Sequence, residues 1–310
     1  MGIIDTISTG FAVIGRRPWL FLLPLALDLL LLWGPRVSMA PLVEPLAMAT
    51  PTDNTANEEA NLQPVLNALA NANLLGILNW QLPSLTKTLA LSSDAPLVDV
   101  TSFPALAGLV AGFWGLSLGV ASLYLTALAM SAQGQALSLT PFLSASLLGA
   151  RRLLLFFLIL FGAGLLLGVP AAFVVAGLSQ FSPPLASLLA LSALVMVLLS
   201  MVYLFFTDEA IFLGNLDARR AIADSFQLVR THFWPALAFF LLTQLIMVGT
   251  PLIWRIILPY RWGGIVAIAG HVYIGTGMAA AAMVFYRHHS PFLQEMAKKG
   301  DALPLGQMNS

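Results

Sequence analysis

Asp28 and His271 are ionisable side chains inside long apolar runs, and an ionisable group at membrane depth is a functional hypothesis by default. Asp28 lies about ten residues into the run 18–36, near the midplane of a span, and His271 about a third of the way into the run 264–286. Paired, they would make a proton relay or a polar substrate site in a small transporter or channel. The competing reading is a buried polar contact that locks helix positions, or a local water pocket. It is the stronger expectation, because transporters usually carry more polar residues in their spans. Gln244, central in the run 234–257, and Tyr203 are further intramembrane polar candidates, with Tyr273 and Thr276 beside them.

Other chemistry finds little support. The four histidines are His232, His271, His288 and His289, and no pair has the HExxH spacing of a zinc protease. GxSxG and P-loop motifs are absent from the sequence. There is no cysteine, so thiolate nucleophiles, Cys-based zinc sites and iron–sulfur clusters are excluded. Asp208-Glu209 could hold a cation, but capping or solvating a helix junction is the expected role. No enzyme, metal site or cofactor is expected.

The elements around these residues follow from composition. Of 310 residues 59% are hydrophobic and 9% charged, where a soluble domain carries about a quarter charged. Mean hydropathy is +0.88. Lys plus Arg equals Asp plus Glu at 14 each, so net charge points to no nucleic-acid partner. Six apolar runs, near 18–36, 104–130, 153–178, 185–206, 234–257 and 264–286, reach the roughly 20 residues a transmembrane helix needs. Trp234 and Trp254 bracket the fifth and are expected in the two interfacial belts. Arg16-Arg17 before the first run, and Ser38-Met39-Ala40 after it, resemble a signal peptide. Pro24 and Asp28 interrupt that run and Pro41 follows the would-be cut, so an uncleaved first span is expected.

Before the first run Ile3, Ile7, Phe11 and Ile14 recur at helical spacing, the pattern of an interfacial helix. Residues 40–103 are acidic, with Lys87 their single cation, and Leu62, Val65, Leu66 and Leu69 mark a second amphipathic helix. A helical cap is expected there. In the second run Gly108, Gly112, Gly115 and Gly119 share one helix face as overlapping GxxxG patterns, and Gly164 and Gly168 repeat the motif in the third. Packing within the chain or a homodimer seam would use that face; with six helices as internal partners, packing is expected. Thr140-Pro141 reads as an N-cap and N1 pair.

If the N-terminus is cytoplasmic, Arg16, Arg17, Arg151, Arg152, Arg219, Arg220, Arg230, Arg287, Lys298 and Lys299 are cytoplasmic, and Arg36, Lys87, Arg255 and Arg261 lie outside. That is ten against four, which favours cytoplasmic termini in a cell membrane. The arginines up to Arg230 are the expected headgroup-facing cations.

The pairs Arg16-Arg17 and Arg151-Arg152, and then Arg230, each separate an amphipathic segment from an outward-going span. Arg151 and Arg230 are 79 residues apart; Arg16 and Arg151 are 135 apart, with 40–103 accounting for roughly the excess. The chain therefore reads as three units, each an interfacial amphipathic helix plus a transmembrane hairpin. In the third, Ala218, Ile222, Ser225, Phe226 and Val229 make one face, and Arg220 and Asp224, at i, i+4, belong to the other. Asp217 is the expected N-cap.

The pattern Asp217-x3-Ala221-x3-Ser225-x2-Leu228-x-Arg230-x2-Phe233-Trp234 resembles the cytoplasmic helix of bacterial multi-pass membrane families of unknown function. Among these is the membrane domain that accompanies some glycerophosphodiester phosphodiesterases. The likeness is sharpest over about 206–250 and does not cover 40–103. Those phosphodiesterases carry their chemistry in a separate soluble barrel, for which this chain has no room, so the resemblance implies a six-helix membrane domain without that activity.

The expectation is thus an all-α integral membrane protein with six transmembrane helices in one domain, 1–290, and a flexible cytoplasmic tail, 291–310. Its expected role is a non-catalytic module that binds anionic lipid headgroups, another membrane protein or a second copy of itself.

Overall fold

A computed structural model of the chain describes residues 2–49, 63–89 and 96–299. Helix α1 (Ile3–Arg16) leads through a 3-10 turn (Pro18–Phe21) into α2 (Leu22–Trp33). Strand β1 (Arg36–Ser38), α3 (Ala40–Ala49), α4 (Gln63–Ala70), a second 3-10 turn (Leu74–Asn79), α5 (Leu85–Leu89) and β2 (Leu97–Asp99) follow. The remainder is helical: α6 (Phe103–Ala132), α7 (Leu139–Ser179), α8 (Pro183–Leu204), α9 (Thr207–Phe212), α10 (Ala218–Thr231), α11 (Phe233–Trp254), α12 (Gly263–His289) and α13 (Pro291–Lys299).

Among the described residues, five helical segments are long and apolar enough to cross a membrane, or six if Ile3–Arg16 and Pro18–Trp33 count as one bent span. This is a multi-pass membrane protein. Apart from the start of α7, the apolar runs set the helix limits to within a few residues, because a helix buried in hydrocarbon satisfies its own backbone.

Two compact units divide the chain. The first comprises Met1–Leu20, Ser122–Val248 and Gly277–Ser310. The C-terminal part of α12 is its core helix: Met278, Met283, Phe285 and Tyr286 are all buried. Phe206, Phe239 and Phe285 stack with centroids 5.0–6.2 Å apart, and the His289 ring lies 4.2 Å from Phe285. Helix α1 docks on α12 through small residues: a methyl added at Gly10 would stand 2.5 Å from the Ala281 backbone nitrogen. Only glycine permits that approach. By contrast α7 and α8 are apolar all round and mostly exposed, as surfaces that face lipid are.

The three basic junctions fold differently. The helix breaks between α1 and the 3-10 turn that starts at Pro18. Pro18 offers no N–H to continue α1, and Pro235 stands just inside the start of α11 beyond the break at His232. No proline follows Arg151-Arg152 closely, and α7 runs through them unbroken for 41 residues, roughly 60 Å. The separate amphipathic helix expected before the third run is therefore the first turns of α7. That helix starts at Leu139 after Ser138, not at the Thr140-Pro141 pair.

The second unit comprises Phe21–Ala121 and Gly249–Thr276. Within it the described part of 40–103 is largely helical, with β1 and β2 paired in parallel and Val37 opposite Val98. Two apolar clusters hold this unit. Leu85, Ala267, Ile268 and Val272 pack with Leu25 and Leu29, and Val37, Leu74 and Val100 pack with Leu106 and Phe113. Leu62, Glu58 and their neighbours lie outside the described residues.

One further expectation is corrected. Residues 291–299 are helix rather than a tail without a fold, because Leu293 is buried and Ser290 at the helix entrance is fully enclosed. Residues 300–310 lie outside the described residues. The half-buried Trp254 ring lies over Gly270, where an added methyl would meet it at 2.5 Å, and among the described residues its indole N–H has no hydrogen-bond partner.

Candidate functional site

Asp28 is completely buried. Its carboxylate accepts hydrogen bonds from Ser84 Oγ (2.5 Å), Asn79 Nδ2 (3.3 Å), the Leu85 amide (2.8 Å) and Thr86 Oγ1. Leu85 is the first residue of α5, so Asp28 caps a helix to which it does not belong. Three of these donors meet Oδ1 and the Leu85 amide meets Oδ2, so one short stretch of chain holds the carboxylate in place. His271 meets Thr250 Oγ1 through Nδ1 (3.1 Å) rather than Asp28. Partial burial lowers the Lys87 ammonium below its ordinary value, and the Asp28 carboxylate pulls it back up. Lys87 Nζ donates to the Trp80 carbonyl (3.2 Å).

The other polar candidates are scattered. Gln244 is exposed on α11. Tyr203 stacks on Phe226 at 4.6 Å, and its carbonyl accepts from Ser225 Oγ (2.7 Å). Ser225 also accepts from the Phe206 amide (3.2 Å), mending the break between α8 and α9. Thr276 and Glu209 are buried, each with a side-chain oxygen lacking a hydrogen-bond partner. Gly108, Gly112, Gly115 and Gly119 meet nothing among the described residues within 4 Å of an added methyl. Gly164 and Gly168 are likewise open.

Of the basic residues, Arg151, Arg219, Arg220 and Arg230 are exposed. Arg220 pairs with Asp217 at 3.5 Å, across three residues, and not with Asp224. Asp224 is buried and points the other way: it accepts from Tyr286 Oη (2.6 Å), Ser290 Oγ (2.9 Å) and the Phe292 amide (3.3 Å). Arg152 donates to Asn215 Oδ1, in a turn where Asn215 takes φ of 52°. Asparagine tolerates that left-handed conformation.

Arg16 and Arg17 end α1 beside the C-terminus of α6. Gly134, at φ 73°, closes α6 with the Gln135 amide reaching back to the Met130 carbonyl (3.0 Å), a Schellman ending. The carbonyls left over there are met by arginines: Arg17 donates to Gln135 O (2.6 Å) and Ser131 Oγ (3.1 Å), and Arg287 of α12 to Ala132 O (3.2 Å). A cavity of 480 Å³ opens among these three helix ends, lined by Arg16, Arg17, Arg287 and His288 with Ser131 and Gln133. Among the described residues, no acidic one lines it. Arg16 and Arg17 are legible in the sequence as headgroup-facing cations; that Arg287 and His288 share their cavity is not. The Arg-His-His run at the end of an apolar helix was the available signal.

Comparison of the chain with protein families, with curated proteins and with solved structures finds no match.

Proposed function

We propose that this protein is a non-catalytic membrane module whose charged face binds anionic lipid headgroups from the cytoplasmic side. One observation carries the reading. Helix α10 buries Ala221, Ser225, Leu228 and Val229 while Arg219, Arg220 and Arg230 are exposed. Such a helix is held by its apolar face and leaves its cations for phosphates, each worth about 1 kcal/mol near an anionic surface. Arg151, exposed on α7, adds to the set. The ten-to-four charge bias supports placing these residues on the cytoplasmic side. The likeness of 206–250 to the membrane domain that accompanies some glycerophosphodiester phosphodiesterases supports a six-span domain of that kind.

Native mass spectrometry of the full chain, released from membranes containing phosphatidylglycerol and phosphatidylethanolamine, tests the reading. Wild type is expected to retain the anionic lipid preferentially. Combined Arg219→Gln, Arg220→Gln and Arg230→Gln is expected to lower that preference several-fold. Equal retention of both lipids by wild type would overturn the proposal.

A further inference from the structure

We infer that the cavity at the ends of α1, α6 and α12 is a stoichiometric binding site for the phosphate group of an anionic phospholipid. The inference rests on the membrane reading of the chain and is independent of the exposed arginines of α10.

Four observations converge on it. The cavity gathers three guanidinium groups and an imidazole with no carboxylate among them, an uncompensated positive charge that only an anion balances. The guanidinium groups are only partly used. Arg17 spends two of its five N–H donors on Ser131 and Gln135, Arg287 spends one on Ala132, and Arg16 has no hydrogen-bond or ion-pair partner among the described residues. The contacts already made fix Arg17 and Arg287 against the α6 terminus, so their free N–H edges are preorganised for the bidentate geometry that phosphate oxygens accept. The volume, 480 Å³, suits a phosphate with its glycerol rather than a bare ion.

The lipid source is favoured by where the cavity lies. Arg16 and Arg17 stand immediately before Pro18-Trp19, and Arg287 and His288 end the apolar stretch of α12, so the cations sit at headgroup depth. Ala12, Val13, Ala132 and Val284 complete the wall with apolar surface, which a glycerol backbone and the start of an acyl chain would cover and a free phosphate would not.

The test uses the full-length protein, delipidated in neutral detergent. It is titrated with dioctanoyl phosphatidic acid, with dioctanoyl phosphatidylcholine and with inorganic phosphate, and read by native mass spectrometry. Phosphatidic acid is expected to saturate at one per chain, and Arg16→Gln with Arg287→Gln to weaken it tenfold or more. Arg17 is left intact because it ties the end of α6. Ala12→Trp, which fills the cavity and keeps every charge, is expected to weaken binding to a similar degree and guards against misfolding of the charge variant. The triple α10 variant should leave this saturable binding within twofold, so failure here and failure of the headgroup-binding reading are told apart. Inorganic phosphate binding as tightly as phosphatidic acid, with the same loss in the variants, would make this a soluble-anion site and overturn the lipid assignment. Phosphatidylcholine binding equally well, or full affinity in either cavity variant, would overturn the site itself.

Discussion

Asp28 and Asp224 stand in different units and meet the same difficulty in different ways. Each is a buried carboxylate, and each receives the first amides of a short helix to which it does not belong: Leu85 of α5 for Asp28, Phe292 of α13 for Asp224. Asp28 collects all its donors from one stretch, 79–86, and so stitches the 40–103 insertion to α2. Asp224 draws on Tyr286 of α12, then Ser290 and Phe292, and stitches the C-terminal helix to α10. By sequence, depth in an apolar run makes Asp28 look chemical, and an arginine at i−4 makes Asp224 look solvated. The donors show a structural role for each: both carboxylates are tied into hydrogen-bond networks that join separate stretches of the chain.

Removing the carboxylates grades the comparison. Asp28→Ala strands four buried donors and is expected to cost about 3–5 kcal/mol, read from denaturant unfolding in detergent. Asp28→Asn keeps one acceptor oxygen and should cost about half as much; equal losses for the two would mean that the hydrogen bonds are not what Asp28 contributes. Asp224→Ala leaves three donors, one of them a solvent-proximal amide, and is expected to cost about 2 kcal/mol. Its signature is local: amide exchange over 291–299 should quicken while the rest of α10 stays protected. Tyr286→Phe deletes one charge-assisted hydrogen bond and should cost about 1.5 kcal/mol, in the same exchange pattern. Smallest is Arg220→Gln, whose only ion pair among the described residues is the exposed one with Asp217, expected within about 0.5 kcal/mol. A larger loss there would restore a link between Arg220 and Asp224.

What the sequence allowed one to read follows the range of the interactions. Apolar run length is a local property, and it located α6, α11 and α12 to within a few residues. The amphipathic stripe of α10 is also local: Ala218, Ser225 and Val229 are buried as that stripe predicts, while Phe226 on the same stripe is exposed. Asp224 escapes such reading because its partners lie 62–68 residues away, whereas helical periodicity sees only four. Glycine patterns mislead for the same reason. The GxxxG face of α6 marks where a helix could approach, yet it is Gly10, in no such pattern, that meets the backbone of another helix. Proline placement explains why two of the basic junctions break and Arg151-Arg152 does not, a distinction that counting arginines cannot make.

The contact between Gly10 and Ala281 also bears on the order in which the chain can be made. Gly10 and Ala281 lie 271 residues apart (281 − 10), so α1 cannot dock until Gly277 and the alanines after it have been translated. Such long-range closure is slow, and the cavity proposed to hold a lipid phosphate, which α1, α6 and α12 line together, forms only after it.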